Sequence, residues 1–299
     1  MNPGWTPTYD LGESIEVELP GRGSTTAWDS GDPGNGENTD AVLENTDPVL
    51  LLHGWNIDAP TNYGFAFPHL RTKRRVVMYD QQGHGHGPRH DAPFTLEAVA
   101  GDAITVLDSL GIERAIIAGY SLGGAVAQTV AHNHPDRCSG LVLSATSARF
   151  AETRKETVEF KALATFARLL RRVPAAGRAQ LFAAILAVTT RKYPAWIAEV
   201  VRNGDPINLL EAGASLGTFD STSWTELADL PTAFVVTAKD EIVPPPRQVQ
   251  LATALDVESM HNVDAGHEVP ILNNEAFNTA LADAIDAVSN ESHTTEQAG

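Results

Sequence analysis

The chain has 299 residues, 42% of them hydrophobic and 20% charged, a balance that supports a sizeable buried core and excludes a disordered or fibrous protein. Its formal net charge of −17 argues against nucleic acid and anionic lipid as partners, and no apolar run reaches bilayer-spanning length. Cys138 is the single cysteine, so no internal disulfide can form, and Met1 to Pro20 carries no basic-then-apolar leader; both point to a cytoplasmic protein.

Ser14 to Leu19 alternates apolar and polar residues as a half-exposed strand does, and Arg22 to Trp28 can pair with it across the Pro20-Gly21 turn. Asp29 to Asp47 holds six acids and no base among Gly and Asn, the composition of a solvated, mobile surface loop. Val49-Leu50-Leu51-Leu52 is an uninterrupted apolar strand ending in His53-Gly54-Trp55, and Arg75 to Tyr79 is another, ending in Asp80 and a glycine-rich turn. Thr95 to Leu110 has helical spacing, with Leu96, Val99, Ile104, Leu107 and Leu110 on one side and Gly111 as its terminator. Strands follow at Glu113 to Ala118, Gly140 to Ser144, Ala233 to Thr237 and Val257 to Val263, and a last helix at about Asn274 to Val288.

Apolar strands without alternation, separated by helices, are covered on both faces, so these elements predict an α/β fold with a doubly wound, mostly parallel eight-stranded sheet. The alternation stops between Ser147 and Asp229, where Phe160 to Val173, Arg178 to Val188 and Ala195 to Val201 are helical. That predicts a core of residues 1–146 and 230–288, an all-helical cap at 147–229 inserted after the sixth strand, and a disordered tail at 289–299. The insertion has 11 Lys/Arg against 9 Asp/Glu, whereas the remainder has 10 against 29.

Gly119-Tyr120-Ser121-Leu122-Gly123-Gly124 stands between the fifth predicted strand and a helix of small and apolar residues from Gly124 to His132. Gly-x-Ser-x-Gly at a strand-to-helix junction is a nucleophile elbow, a turn so tight that the positions two before and two after the serine must be glycine. A serine hydroxyl needs a base in hydrogen-bond reach and a carboxylate to orient it. Those partners should follow in the order acid, then histidine, each just past a strand end. Asp240 follows Val235-Val236-Thr237-Ala238-Lys239, and His267 stands 27 residues further on, after the last strand. The oxyanion of such a reaction needs two backbone N–H donors. Leu122, at the helix start, supplies one, and the His53-Gly54-Trp55 loop supplies the other through Trp55, with His53 holding the loop.

Leu52-His53-Gly54-Trp55, Asp80-Gln81-Gln82-Gly83-His84-Gly85, Gly119 to Gly124, Ala238-Lys239-Asp240 and Gly266-His267 resemble, in order and spacing, the α/β-hydrolase superfamily and its bacterial serine esterase/lipase-like branch with a helical cap. The resemblance covers roughly residues 14 to 288 and implies Ser121, Asp240 and His267 as nucleophile, acid and base, Trp55 and Leu122 as oxyanion donors, and no cofactor. Gln82 departs from the arginine that the family usually has in this turn, which puts a local salt bridge in question. His84, His86, His90 and Asp91 lie close in sequence but lack the acid near Pro88 and the histidine at Arg89 that a two-metal pattern needs, so no metal site is expected.

The expected reaction is hydrolysis of a small-molecule carboxylic ester through an acyl-enzyme. Apolar residues of the insertion (Phe160, Leu163, Phe166, Leu169, Leu170, Leu181, Phe182, Ile185, Leu186 and Trp196) exceed what covering a sheet requires. Phe166, Leu170, Phe182 and Trp196, with Trp55 and Tyr120, are the predicted walls of a medium-chain acyl pocket, while Arg168, Arg171 and Arg172 fit a solvated helix face. A cofactor-free perhydrolase or haloperoxidase-type enzyme, or an acyltransferase, would use the same three residues, and a ligand-binding module with a vestigial triad is the alternative of another class. Haloalkane dehalogenase and epoxide hydrolase chemistry is disfavoured, since the resemblance puts an aspartate where Ser121 stands.

Overall fold

In the computed structural model, which describes residues 6–31, 46–89, 91–189, 194–272 and 275–289, five strands bury every one of their residues. These are β3 (Val49–Leu52), β4 (Val76–Tyr79), β5 (Ala115–Tyr120), β6 (Cys138–Ser144) and β7 (Thr232–Thr237). They are the runs that lack polar alternation, and they occupy the middle of the sheet. The half-exposed strands β1 (Ser14–Leu19), β2 (Gly23–Asp29) and β8 (Ser259–Val263) lie toward its edges. The order is β1-β2-β4-β3-β5-β6-β7-β8, with β1–β2 and β2–β4 antiparallel and every other pairing parallel.

Because successive strand side chains point to opposite faces, the sheet feeds two cores. Leu50, Leu52, Ile117, Leu141, Leu143, Phe234 and Val236 pack on one side with α3 (Leu96–Ser109) and α4 (Leu122–Asn133). Val49, Leu51, Ile116, Ala118, Val142, Ala233 and Val235 pack on the other with α1 (Ala59–Tyr63), α2 (Phe67–Leu70) and the C-terminal helix. Thr95 caps α3 by accepting the Ala98 N–H at 3.1 Å, and Gly111 adopts φ +66° just past its end, so both predicted limits hold.

Among the described residues, four α-helices separate β6 from β7: α5 (Arg154–Leu170), α6 (Ala175–Thr189), α7 (Ala195–Arg202) and α8 (Pro206–Leu216). α5 begins at a capping box, Thr153 with Glu156, nearly two turns ahead of the predicted start at Phe160. α8 is a further helix, begun by Asp205, whose carboxylate accepts the Ile207 and Asn208 N–H groups, with Pro206 in its first turn. Beyond β7, α9 (Pro245–Ala254) leads to β8, and α10 (Glu275–Ala287) ends the fold. Ser289, assigned to the tail from sequence, is buried, with its N–H on the Asp286 carbonyl. Most of the predicted acidic loop and residues 290–299 lie outside the described residues. No described helix is long and apolar enough to cross a membrane.

Candidate active site

The parallel strands place their C-terminal ends at one rim, through register pairs such as Leu52 with Gly119, Tyr120 with Ser144 and Thr237 with Val263. Ser121 leaves β5 there with φ +53° and ψ −113°, a conformation that a non-glycine residue holds only when its surroundings enforce it. The enforcement is close backbone packing. A Cβ on Gly119 would lie 2.2 Å from the Gly123 carbonyl oxygen, and one on Gly123 would lie 1.9 Å from that of Leu52. Only glycine fits at either position, as the elbow pattern requires.

Asp240 and His267 follow β7 and β8 at the same rim. His267 Nε2 is 2.9 Å from Ser121 Oγ, and His267 Nδ1 is 2.7 Å from Asp240 Oδ2. Ser121 and Asp240 are buried, and the His267 side chain is 20% exposed. Burial alone would raise the Asp240 pKa. The His267 hydrogen bond and charge, with hydrogen bonds from Thr237 and Val243, outweigh it and hold the carboxyl below its ordinary value. An ionised Asp240 can only accept, so Nδ1 of His267 carries the proton and Nε2 presents its lone pair to the serine. Thr237 Oγ1 and the backbone N–H groups of Ile242 and Val243 supply further donors to the carboxylate at 2.7, 2.8 and 2.8 Å.

Tyr120 lies behind the histidine. Its hydroxyl donates to the His267 carbonyl at 2.7 Å, and its ring packs against His267 and Phe277 at 5.4 and 5.6 Å. Burial, with Asp240, Tyr63 and Glu268 nearby, pushes its pKa up, so it remains a donor. Sequence reasoning assigned Tyr120 to the acyl pocket; the structure gives its buried side chain to the histidine loop.

Leu122 is the first residue of α4, where the N–H has no acceptor within the helix and the dipole is positive. The other predicted donor sits on a tightly held loop. Gln81 N–H donates to His53 Nε2 at 2.9 Å, so the proton is on Nδ1, which donates to the Gly54 carbonyl at 2.8 Å. Desolvation, reinforced by His84, pushes the His53 pKa well down, keeping it neutral. The Gly54 N–H donates to Asn62 Oδ1 at 2.8 Å. His53 thus holds the loop as the sequence predicts, and Asn62 and Gln81 join it from positions that no spacing marked.

A family model for the alpha/beta hydrolase fold matches residues 47–273. The chain belongs to this family. A pimeloyl-[acyl-carrier protein] methyl ester esterase of Chromobacterium violaceum is 30% identical over 249 residues, covering 80% of this chain and 94% of that protein. Epoxide hydrolase B of Mycobacterium tuberculosis is 36% identical over 103 residues, but the match spans only 31% of this chain and 27% of that one. The crystal structure of a hydrolase from Pseudomonas aeruginosa superposes with a TM-score of 0.70 at 21% identity, over 92% of this chain and 99% of that one.

The departure at Gln82 has a counterpart in the first hairpin of the chain. Arg22 reaches from the β1–β2 turn to bind Asp102 of α3 through Nε at 2.5 Å and Nη2 at 2.8 Å, and Nη2 also donates to Gln82 Oε1 at 2.8 Å. A guanidinium from elsewhere in the chain therefore supplies the ion pair beside this turn. His84 in the same turn donates through Nδ1 to the Gln82 carbonyl and packs edge-on to His53; desolvation lowers its pKa to about 4. His90 lies outside the described residues.

The predicted pocket residues of the insertion divide. Leu170 is buried, Phe166 and Phe182 are half-buried, and Trp196 packs with Ile197 against Ile271, on the 3₁₀ turn that follows His267. Leu169 and Leu181, at 52% and 40% exposure, turn outward, and the side chains of Ile185 and Leu186 are outside the description. Arg171 is not a solvated residue: it pairs with Glu211 at 2.7 Å and donates to the Asp91 carbonyl at 2.9 Å, tying α5 to α8 and the core.

Proposed function

We propose that this hydrolase cleaves carboxylic esters by acyl transfer to Ser121 and then to water. The observation that carries the proposal is the continuous hydrogen-bonded path from Ser121 Oγ through His267 to Asp240, at 2.9 and 2.7 Å. Ser121 Oγ attacks the ester carbonyl as His267 Nε2 takes its proton, and Asp240 stabilises the imidazolium. The Leu122 and Trp55 N–H groups face the developing oxyanion. Collapse breaks the bond to the alcohol, which leaves with the proton from His267. Water then attacks the acyl-enzyme, again giving its proton to His267, and the acid departs as Ser121 is restored.

The methyl ester esterase named among the relatives supports an ester as the scissile bond. The epoxide hydrolase match does not favour epoxide opening, because Ser121 occupies the position where that reaction uses an aspartate. Helices α5 to α8 form the cap over the rim, and Ala212 and Leu216 of α8 join the apolar cluster that contains Leu122. Medium acyl chains are the proposed substrates, and p-nitrophenyl ester turnover should rise from acetyl toward octanoyl; a flat or falling series contradicts this. A lone cysteine, buried, accords with action in the cytoplasm. Ser121→Ala should abolish turnover of p-nitrophenyl butyrate with folding intact, and retained turnover would defeat the proposal.

A further inference from the structure

Trp55 is held by the inserted helices more firmly than a wall residue requires. Its indole Nε1 donates to the Leu209 carbonyl of α8 at 2.7 Å, an oxygen that the helical pattern already pairs with the Gly213 N–H. The ring lies flush on α8 because position 213 has no side chain. A Cβ there would lie 2.4 Å from Trp55 Cζ2, 2.8 Å from Cη2 and 2.9 Å from Leu163 Cδ1. The backbone on the other side of Trp55 is fixed as well, since His53 Nδ1–H holds the Gly54 carbonyl at 2.8 Å and Asn62 Oδ1 holds the Gly54 N–H at 2.8 Å.

These contacts act on one peptide plane. In a trans peptide the C=O of Gly54 and the N–H of Trp55 point in opposite directions, so fixing the carbonyl from the core aims the N–H. The side chain of Trp55 fixes the same residue from the insertion. We infer that α8, through Leu209 and the gap at Gly213, is a positioning element for the oxyanion donor, so that the inserted helices set transition-state stabilisation as well as access. This rests on the proposed role of the Trp55 N–H. Leu209 and Gly213 never touch substrate; they act through Trp55.

Three variants of the full chain test it: Trp55→Phe, which removes the indole donor, Gly213→Ala, which displaces the ring, and the double variant. Alanine favours a helix interior, so Gly213→Ala leaves α8 intrinsically sound, and thermal melting confirms folding of each. The expected result is a kcat loss of about tenfold or more in either single variant, since donor displacement of about 1 Å carries a large penalty, with KM within about twofold. A trifluoromethyl ketone, which forms an oxyanion adduct with Ser121, should weaken in parallel with kcat, while the matching methyl ketone binds unchanged. Because both substitutions break one contact, the double variant should be no worse than the poorer single. Wild-type kcat in Trp55→Phe overturns the inference, as does a loss confined to KM or one without weaker trifluoromethyl ketone binding. Activity surviving in Ser121→Ala would instead remove the ester-hydrolase proposal beneath it.

Discussion

Asp240→Asn is the most discriminating single substitution, because the loop itself decides how the new amide must sit. Asp240 Oδ1 accepts the Ile242 and Val243 N–H groups at 2.8 Å each. Placing an NH₂ against two N–H donors would strand all three, so the asparagine oxygen must take the Oδ1 place. Its NH₂ then occupies the Oδ2 place, 2.7 Å from His267 Nδ1. Thr237 Oγ1, a donor to that position in the native chain, can turn its proton to Gln248 Oε1 and accept. Gln248 Nε2 gives up a 3.3 Å contact there while keeping the Val243 carbonyl at 2.6 Å, but the imidazole has one choice. Nδ1 must become the acceptor, the proton moves to Nε2, and an N–H rather than a lone pair faces Ser121 Oγ. Loss of the correct tautomer in a Ser-His-Asp site costs about 10⁴ in kcat, roughly 5.5 kcal/mol of barrier. The loop hydrogen bonds survive, so the melting temperature should barely move, whereas Asp240→Ala strands both loop N–H groups at about 1–3 kcal/mol of stability each. The assay is kcat/KM on p-nitrophenyl butyrate beside a thermal melt of both variants. Retention of more than a tenth of wild-type kcat in a folded Asp240→Asn protein would refute the orienting role of Asp240.

Tyr120→Phe removes the hydroxyl that holds the His267 carbonyl while keeping the packing on Phe277. It should lower stability by about 1–3 kcal/mol and kcat severalfold with KM little changed, and an unaltered melt and kcat would show the bond to be idle. A pH effect follows from Asp80, whose carboxyl is raised to about 7 by burial and by Asp58, against hydrogen bonds from the His86 and Ala59 N–H groups and the charge of Arg89. Between about pH 4 and pH 7 the native chain holds a proton there that the unfolded chain has released, so this group makes stability fall as pH rises through that window. Asp58→Asn keeps the N-cap on Thr61 but removes the facing charge. It should stabilise the protein by on the order of 1 kcal/mol at pH 8 and leave it unchanged at pH 5, as denaturant titrations at the two pH values would register. Equal effects at both values would contradict the coupling.

What the sequence made legible follows from how far each signal reaches along the chain. Strands β3 to β7 are buried on both faces, so each is written as a local apolar run, and Ser121 and Asp240 stand just past where two of these runs stop, whereas His267 follows the half-exposed β8. The short helices α1 and α2 span five and four residues, too few for a helical period to register. α8 announced itself only by Asp205-Pro206, a cap and first-turn pair set in a segment whose pattern is helical throughout.

The contacts that complete the site leave no local trace at all. Asn62 meets Gly54 across eight residues, Gln81 meets His53 across 28, and Trp55 meets Leu209 across 154. Arg22 supplies, from 60 residues before Gln82, a guanidinium beside the turn where the family's arginine is missing. A motif records the atoms that react, because their spacing is tied to strand ends. The groups that aim those atoms need only arrive at the right place in space, and any element that passes nearby can carry them. The substitution at Gln82 therefore leaves an ion pair beside the turn, formed by Arg22 and Asp102, and the His53-Gly54-Trp55 loop is held from one side by the core and from the other by a helix inserted between β6 and β7.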